Sequence, residues 1–262
     1  MSRKSSVPAR RSEKLAKGRN IVAIASGKGG VGKTWFAISV AHALARAGTR
    51  TLLFDGDLGL ANLDIQLGLM PQRDLSGVVA GRLTLNQAVL PYEEGGFDII
   101  AGRSGSGSLA NIPPSRLQLL KDDLVLISAT YDRVILDLGA GLERTVRQLT
   151  DEVGSCVVIA TDDPSSLTDA YAFIKVTRME RPETDLRIVI NMASSIRAGE
   201  RTYNTLLKAC EGFLKFSPPL LGIVRDDANV RETIRHQVPL LTRHPNCEAA
   251  GDVESVAGKL LK

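Results

Sequence analysis

No apolar stretch in this chain approaches the roughly 18 residues that a membrane-spanning helix needs, so the sequence predicts nothing that crosses a bilayer in that way. Cysteine is scarce. Cys156, Cys210 and Cys247 lie far apart and form no C-x-x-C pair. Reduced thiols in a cytosolic protein are therefore expected in place of a disulfide framework. His42, His236 and His244 have no ligand spacing. The first residues contain no hydrophobic segment of the kind a secretory signal requires.

What is present is ordinary in bulk and uneven in placement. An apolar content of 44% with 24% charged residues suits one soluble globule, large enough to bury a substantial core. The formal net charge of +4 hides an asymmetry. Arg3, Lys4, Arg10, Arg11, Lys14, Lys17 and Arg19 face only Glu13, so the first 20 residues carry +6 and the other 242 sum to −2. Residues 1–19 thus read as a basic tail, disordered alone, ahead of a folded unit over 20–262. Three uses for the tail stay open: solubilising the chain, docking on a partner protein, or leaning on anionic lipid or nucleic acid.

The stretch from Asn20 to Thr34 organises the rest. Ile21 to Ala25 is an apolar run that reads as a buried strand, followed by a glycine-rich turn and an alanine-rich helical pattern from Trp35 to Ala47. Gly27, Gly29, Gly30 and Gly32 allow successive N–H groups to turn inward around an anion. The next helix aims the positive end of its dipole at the same point. The spacing from Gly27 to Gly32-Lys33-Thr34 fits a phosphate-binding loop, with Lys33 reaching the β/γ-phosphates and the Thr34 hydroxyl holding Mg²⁺. A second lysine, Lys28, sits inside the loop. It is either a solvated loop-tip charge or an ammonium directed at another subunit's nucleotide.

Acids follow at strand ends. Thr51 to Phe54 is a short strand running into Asp55-Gly56-Asp57, with Asn62 and Asp64 close behind. Val134 to Asp137 is a buried strand that also ends in a carboxylate. Carboxylates at strand C-termini lie where ligands bind in open α/β sheets. One that hydrogen-bonds a Mg²⁺-bound water suits a cation that keeps its waters. Leu186 to Asn191 delivers a side-chain amide to the same sheet edge, able to donate and accept at a base.

Lys28-Gly29-Gly30-Val31-Gly32-Lys33-Thr34 resembles the deviant Walker A motif of the MinD/ParA family of ATPases. Asp55 to Asp64 resembles that family's switch I, and Asp137-Leu138-Gly139-Ala140-Gly141-Leu142 its Walker B and switch II. Asp163-Pro164 through Lys175, with Val230 to Pro239, is similar to the flagellar-number regulators, the FlhG/FleN branch. The resemblance runs from Asn20 to about Pro239. It implies a doubly wound, mostly parallel α/β sheet with helices on both faces, ATP and Mg²⁺ as ligands, and an ATP-dependent homodimer. By it, Lys28 crosses to the partner's phosphates, Lys33 serves in cis, and Asp57 orients the attacking water. Gly29, Gly30, Val31, Gly32, Lys33 and Thr34 wrap the phosphates. Thr34, Asp55 and Asp137 attend the metal. Asn191 reads the base, and Arg225 with Asp226 stands where relatives line it with a Pro-acid pair; Val224 replaces that proline.

The implied role is an ATPase switch governing the assembly, number or placement of a cellular structure, with the flagellum foremost. Implied partners are an SRP-type GTPase (FlhF) and a flagellar transcription regulator or switch-complex protein. The implied location is cytoplasmic, with peripheral contact at the inner membrane or cell pole. A DNA-partitioning ATPase is a rival that the near-neutral body disfavours, although the tail could bind DNA. A small-molecule kinase or ligase would need an acceptor pocket that the sequence does not disclose. An iron–sulfur carrier of the same superfamily would need cysteines that are absent.

Elsewhere, short helices are expected over Asp74–Val79 and Leu83–Leu90, a strand over Phe97–Ala101, a Gly/Ser-rich loop over Gly102–Pro114, and a helix over Ser115–Ser128. Further on come a strand at Val157–Ala160, a helix opening at Pro164 with Ser165 or Ser166 near its cap, a helix over Glu200–Phe213, and a strand over Leu220–Val224. A final helix within Asn246–Lys262 should pack on the domain through Val253, Val256 and Leu260. It carries Glu248, Asp252 and Glu254 and no aromatic anchor for a membrane.

Overall fold

The computed structural model describes residues 18–102 and 112–261, with the backbone alone for Arg144 and Glu152. The tail and most of the Gly102–Pro114 loop lie outside the described residues. β1 (Ile21–Ser26) leads through the glycine loop into α1 (Lys33–Arg46) and then β2 (Thr51–Gly56). Two short helices follow, α2 (Leu63–Gln66) and α3 (Leu75–Val79), then β3 (Leu90–Tyr92), β4 (Phe97–Ile100) and α4 (Pro114–Ser128). Next come β5 (Arg133–Ala140), α5 (Arg144–Leu149), β6 (Ser155–Ala160), α6 (Pro164–Glu180) and β7 (Asp185–Ala193). The described chain closes with α7 (Ile196–Ala209), β8 (Leu220–Arg225), α8 (Ala228–His236), α9 (Leu240–Arg243) and α10 (Glu248–Leu260).

The strands form one sheet in the order β3-β4-β2-β5-β1-β6-β7-β8, parallel except for the β3–β4 pair. The chain moves from β1 to β2 on one side and later from β5 across β1 to β6 on the other. β1 is therefore the topological switch point, where a crevice opens beyond the strand C-termini. The period of two along β1 divides its side chains between the faces. Ile21, Ala23 and Ala25 join one buried cluster, with Leu117 and Leu124 of α4, Phe173 of α6 and Leu206 of α7. Val22 and Ile24 join the other, with Phe36 and Val40 of α1 and Val253 of α10. Every residue of α1 from Lys33 to Leu44 is buried, and its alanines let neighbouring elements approach closely.

The final helix packs as expected. Ala249, Ala250, Val253, Val256, Ala257 and Leu260 are buried. Burying an aliphatic side chain contributes about 1.5–3 kcal/mol. The end of α10 is held as well, because Arg133 donates twice to the Leu260 carbonyl, at 3.2 and 3.0 Å. Lifting this helix onto a membrane would forfeit all of these contacts. No helix among the described residues is long and apolar enough to cross a membrane.

Several expected boundaries move. Leu83–Leu90 is no helix; only Asn86–Ala88 turns, as a 3₁₀ segment, and Leu90 opens the antiparallel edge strand β3. Pro91, which cannot donate to a ladder, is tolerated on such an edge. α6 opens at Pro164 as expected, with Asp163 as the cap and Ser165 and Ser166 beside it. The Asp163 carboxylate accepts from the Ser165 N–H at 2.8 Å, while Ser166 Oγ accepts from the Thr161 N–H at 3.0 Å. α7 starts four residues earlier than expected, where Ser195 accepts from the Ala198 N–H, and it ends in a π turn over Cys210–Leu214. The short helices α2 and α5 carry no periodicity long enough to read in advance.

Candidate functional site

The glycine loop lies beyond the C-terminal end of β1. Ser26, fully buried, closes the strand, and its hydroxyl donates to the Lys28 carbonyl at 2.9 Å. At Gly27 a Cβ would overlap the Asp169–Ala170 backbone of α6, so that helix buttresses the loop directly. Gly32 has φ +82, the left-handed region open to glycine. A Cβ there would lie 2.5 Å from the Asn191 amide nitrogen. α1 begins one residue later, so the backbone N–H groups of the first helical turn converge on the loop.

Lys33 is 8% exposed, and its ammonium donates to Asp137 Oδ1 at 2.8 Å. Asp137 and Asp55 are fully buried and face each other in register across β5 and β2. Thr34, also buried, lies with its hydroxyl against the Asp137 carboxylate. Burial, then the neighbouring Asp137, pushes Asp55 up to about 8, and burial raises Asp137 while Lys33 pulls it back. Asp55 Oδ2 and Asp137 Oδ2 are both buried without a hydrogen-bond partner. Two orphaned carboxylate oxygens beside a threonine hydroxyl are a donor set that suits a hard cation. No cage of three or more His, Cys, Asp or Glu exists among the described residues. Mg²⁺, which keeps waters and takes one or two carboxylates, fits this sparser arrangement.

Asp57, within segment 55–64, is half-buried and faces Gly139 of segment 137–142. Its Oδ1 accepts from the Leu60 N–H at 2.9 Å, its own N–H donates to Asp55 Oδ1 at 3.2 Å, and a Cβ on Gly139 would lie 3.4 Å from Asp57 Oδ1. The Gly141 N–H donates to the Ser26 carbonyl at 2.9 Å, which ties the second segment to the loop. Lys28 does not extend free into solvent in this single chain. Its ammonium pairs with Asp163 at 2.9 Å and also donates to Ser165, both at the start of α6. The Lys28 ammonium and the Ser165 donors hold the Asp163 carboxyl at about 2.

Toward the far edge of the sheet, Asn191 is buried and donates to the Val31 carbonyl at 2.8 Å, so strand β7 and the loop are stitched together. A cavity of about 110 Å³ opens beside it, lined in part by Gly32, Trp35, Met192, Asp226 and Val230. Asp226 contributes there, with its N–H donating to the Ala193 carbonyl at 2.8 Å. Arg225 also lines this cavity, but its guanidinium is committed elsewhere. It makes a two-pronged contact with Asp252 (2.9 Å on each prong) and a further pair with Glu248, clamping α10 to the end of β8. Arg225 is thus a structural clamp whose side chain is not free to meet a ligand.

Sequence reading missed Asp163 as the partner of Lys28, Asp252 as the partner of Arg225, and Trp35 as a cavity wall. Nothing in the local pattern marks these contacts, which span 135 and 27 residues in the first two cases. His42 is buried in α1, where desolvation and then Arg46 lower it to about 4, so it packs as a neutral ring.

A family profile described as "CobQ/CobB/MinD/ParA nucleotide binding domain" matches residues 22–240. The antiactivator FleN of Pseudomonas aeruginosa is 34% identical over 240 residues, which is 92% of this chain and 85% of that protein. The flagellum site-determining protein YlxH of Helicobacter pylori is 30% identical over 243 residues, 92% of this chain and 81% of that one. Among solved structures, the septum site-determining protein MinD of Pyrococcus horikoshii, complexed with Mg-ADP, superposes with a TM-score of 0.78 at 23% identity, covering 92% of this chain and 95% of that chain.

Proposed function

The chain belongs to the CobQ/CobB/MinD/ParA nucleotide-binding family, and from that premise we propose that it is an Mg-ATP-dependent, dimerising ATPase switch that sets the number or placement of a cellular structure, the flagellum first among them. Its reaction is hydrolysis of ATP to ADP and phosphate. The flagellar assignment is supported by the relative named a flagellum site-determining protein, and the antiactivator FleN stands beside it, each similar over most of both chains. The observation that carries the ATPase reading is the buried group of Lys33, Thr34, Asp55 and Asp137 at the mouth of the glycine loop, with two carboxylate oxygens left unpaired.

The loop amides of Gly29, Gly30, Val31, Gly32, Lys33 and Thr34 bind the phosphates. Lys33 exchanges its carboxylate partner for phosphate oxygens. Thr34, Asp55 and Asp137 would hold Mg²⁺, which would neutralise charge on the β/γ-phosphates. Asn191, with Asp226, faces the base. Asp57, in segment 55–64 against Gly139 of segment 137–142, orients the attacking water. Lys28 leaves Asp163 and supplies positive charge to the phosphates of a second subunit, where charge develops in phosphoryl transfer. The exposed setting of the Lys28–Asp163 pair supports this, because screened surface pairs are weak and readily exchanged. Loss of the γ-phosphate contacts then relaxes segments 55–64 and 137–142, and the dimer separates. To carry a population from 1:99 to 99:1, ATP must favour the dimer over ADP by about 5.5 kcal/mol. The folded unit over 20–262 performs this cycle, and a partner protein such as an SRP-type GTPase or a transcription regulator reads it out.

The test uses the purified full chain. ATP with Mg²⁺ should double the mass seen by light scattering and release phosphate, and Lys28→Ala should bind ATP while staying single and inactive. Dimerisation and turnover undiminished in Lys28→Ala would sink the cross-subunit role.

A further inference from the structure

Trp35 is the only tryptophan of the chain and follows directly on Lys33 and Thr34 in the first turn of α1. It is 5% exposed, yet its indole N–H has no hydrogen-bond partner among the described residues. A buried donor without a partner costs stability, and a phenylalanine or leucine would fill apolar space in α1 without that cost. The position therefore carries a polar group that packing alone does not call for.

The surroundings say what it faces. Trp35 lines the cavity beside the phosphate loop together with residues of β7 and α8. Asn191 gives that cavity an amide, while Met192, Val230 and Ile234 give it apolar walls. Met192 has φ 56, a left-handed conformation uncommon for a side chain of its size and of the kind that clusters at ligand sites. Trp35 also lines a small, mostly apolar gap with Ser39 and Gln66, whose Oγ and Oε1 are likewise buried without partners. The indole thus stands between that gap and the cavity at the mouth of the phosphate loop. The margin of the indole that reaches this cavity, the Asn191 amide and the Met192 thioether suit contact with a planar heterocycle.

We infer that Trp35 is a base-contacting residue of this site: its indole forms the wall against which a purine base lies, so that it contributes affinity for the base and none for the phosphates. The inference rests on the nucleotide reading given above. It adds a determinant that lies in the phosphate-loop helix itself, apart from Asn191 and the segment after β8.

The single indole makes the test site-specific. Tryptophan emission of the full chain is followed during titration with ATP and with inorganic tripolyphosphate, with calorimetry in parallel. ATP should shift the emission saturably, at the affinity that calorimetry reports, and tripolyphosphate should bind without the shift. Trp35→Leu should weaken ATP binding about tenfold while leaving tripolyphosphate unaffected. Calorimetric binding of ATP with unmoved emission would overturn the inference and leave the nucleotide reading intact. So would equal weakening of ATP and tripolyphosphate in Trp35→Leu, the mark of a damaged α1. Should that variant fail to fold, Trp35→Phe and the parental emission decide in its place. Absence of any ATP binding by the parent would overturn both readings.

Discussion

Removing Asp137 tests the electrostatics of the site more directly than any activity assay. In the resting chain Lys33 is a buried cation, 8% exposed, whose partner is the fully buried Asp137 at 2.8 Å. Breaking such a pair by deleting one member costs about 3–5 kcal/mol, because the survivor is left charged in a poor solvent. Two features of this site pull the expected loss to the lower end. Asp55 lies across the same strand pair and already feels both Lys33 and Asp137, so deletion relieves its repulsion. It also leaves Lys33 a second carboxyl nearby, one that ionises more readily once the Asp137 charge is gone. Asp137→Ala should then lose about 3 kcal/mol. That is a large share of the roughly 5–15 kcal/mol that holds a domain together. With a urea slope of about 2–3 kcal/mol per molar, the midpoint falls by about 1 M or somewhat more. Urea unfolding followed by the emission of Trp35, without nucleotide, measures it. Two controls sharpen the result. Pairing the change with an apolar replacement, Lys33→Met with Asp137→Leu, should recover much of the loss. ADP without Mg²⁺ should stabilise Asp137→Ala more than the parent, since phosphate replaces the missing carboxylate beside Lys33. A midpoint for Asp137→Ala within about 0.5 kcal/mol of the parent would refute the reasoning, placing the pair among inconsequential surface contacts.

Two further outcomes follow from the same group of carboxylates. Asp57→Ala should accumulate an ATP-bound dimer that releases phosphate slowly; hydrolysis at the parental rate, read by phosphate release beside light scattering, would exclude Asp57 as the residue that orients water. Asp55 is raised to about 8 from its ordinary 3.8, chiefly by burial, so between those values the native chain holds a proton that the unfolded chain has released. That contribution is whole below the ordinary value and is lost as pH climbs through the raised one. The nucleotide-free protein should therefore lose stability from about pH 4 to about pH 8, and Asp55→Asn should flatten the loss. Parental urea midpoints that rise across this window would contradict the assignment.

How much was legible can be judged residue by residue. Lys33 and Thr34 were readable because a phosphate loop is contiguous, and its strand-loop-helix context is written in one short stretch. Asp55, Asp137 and Asn191 were readable because each ends an apolar run, and strand C-termini in a doubly wound sheet share one edge. β3 escaped notice because three residues carry no countable alternation and their antiparallel partner supplies the order. The chain position of Arg225 beside the cavity is legible at the end of a strand, whereas the engagement of its side chain by Asp252, 27 residues on, has no local signal.

The sequence by itself determined the local chemistry of this protein: a glycine loop that can invert its amides, a helix that starts at Lys33, acids at strand ends, and apolar runs whose period of two builds a sheet buried on both faces. These follow from steric and hydrogen-bonding rules that act over a few residues. Only the tertiary structure decided that Lys28 rests on Asp163, that Arg225 holds α10, and that Trp35 walls a cavity shared with Asn191. Each depends on β1 lying between β5 and β6 with β7 and β8 beyond. That strand order is selected by packing among residues far apart in the chain, and no local propensity encodes it.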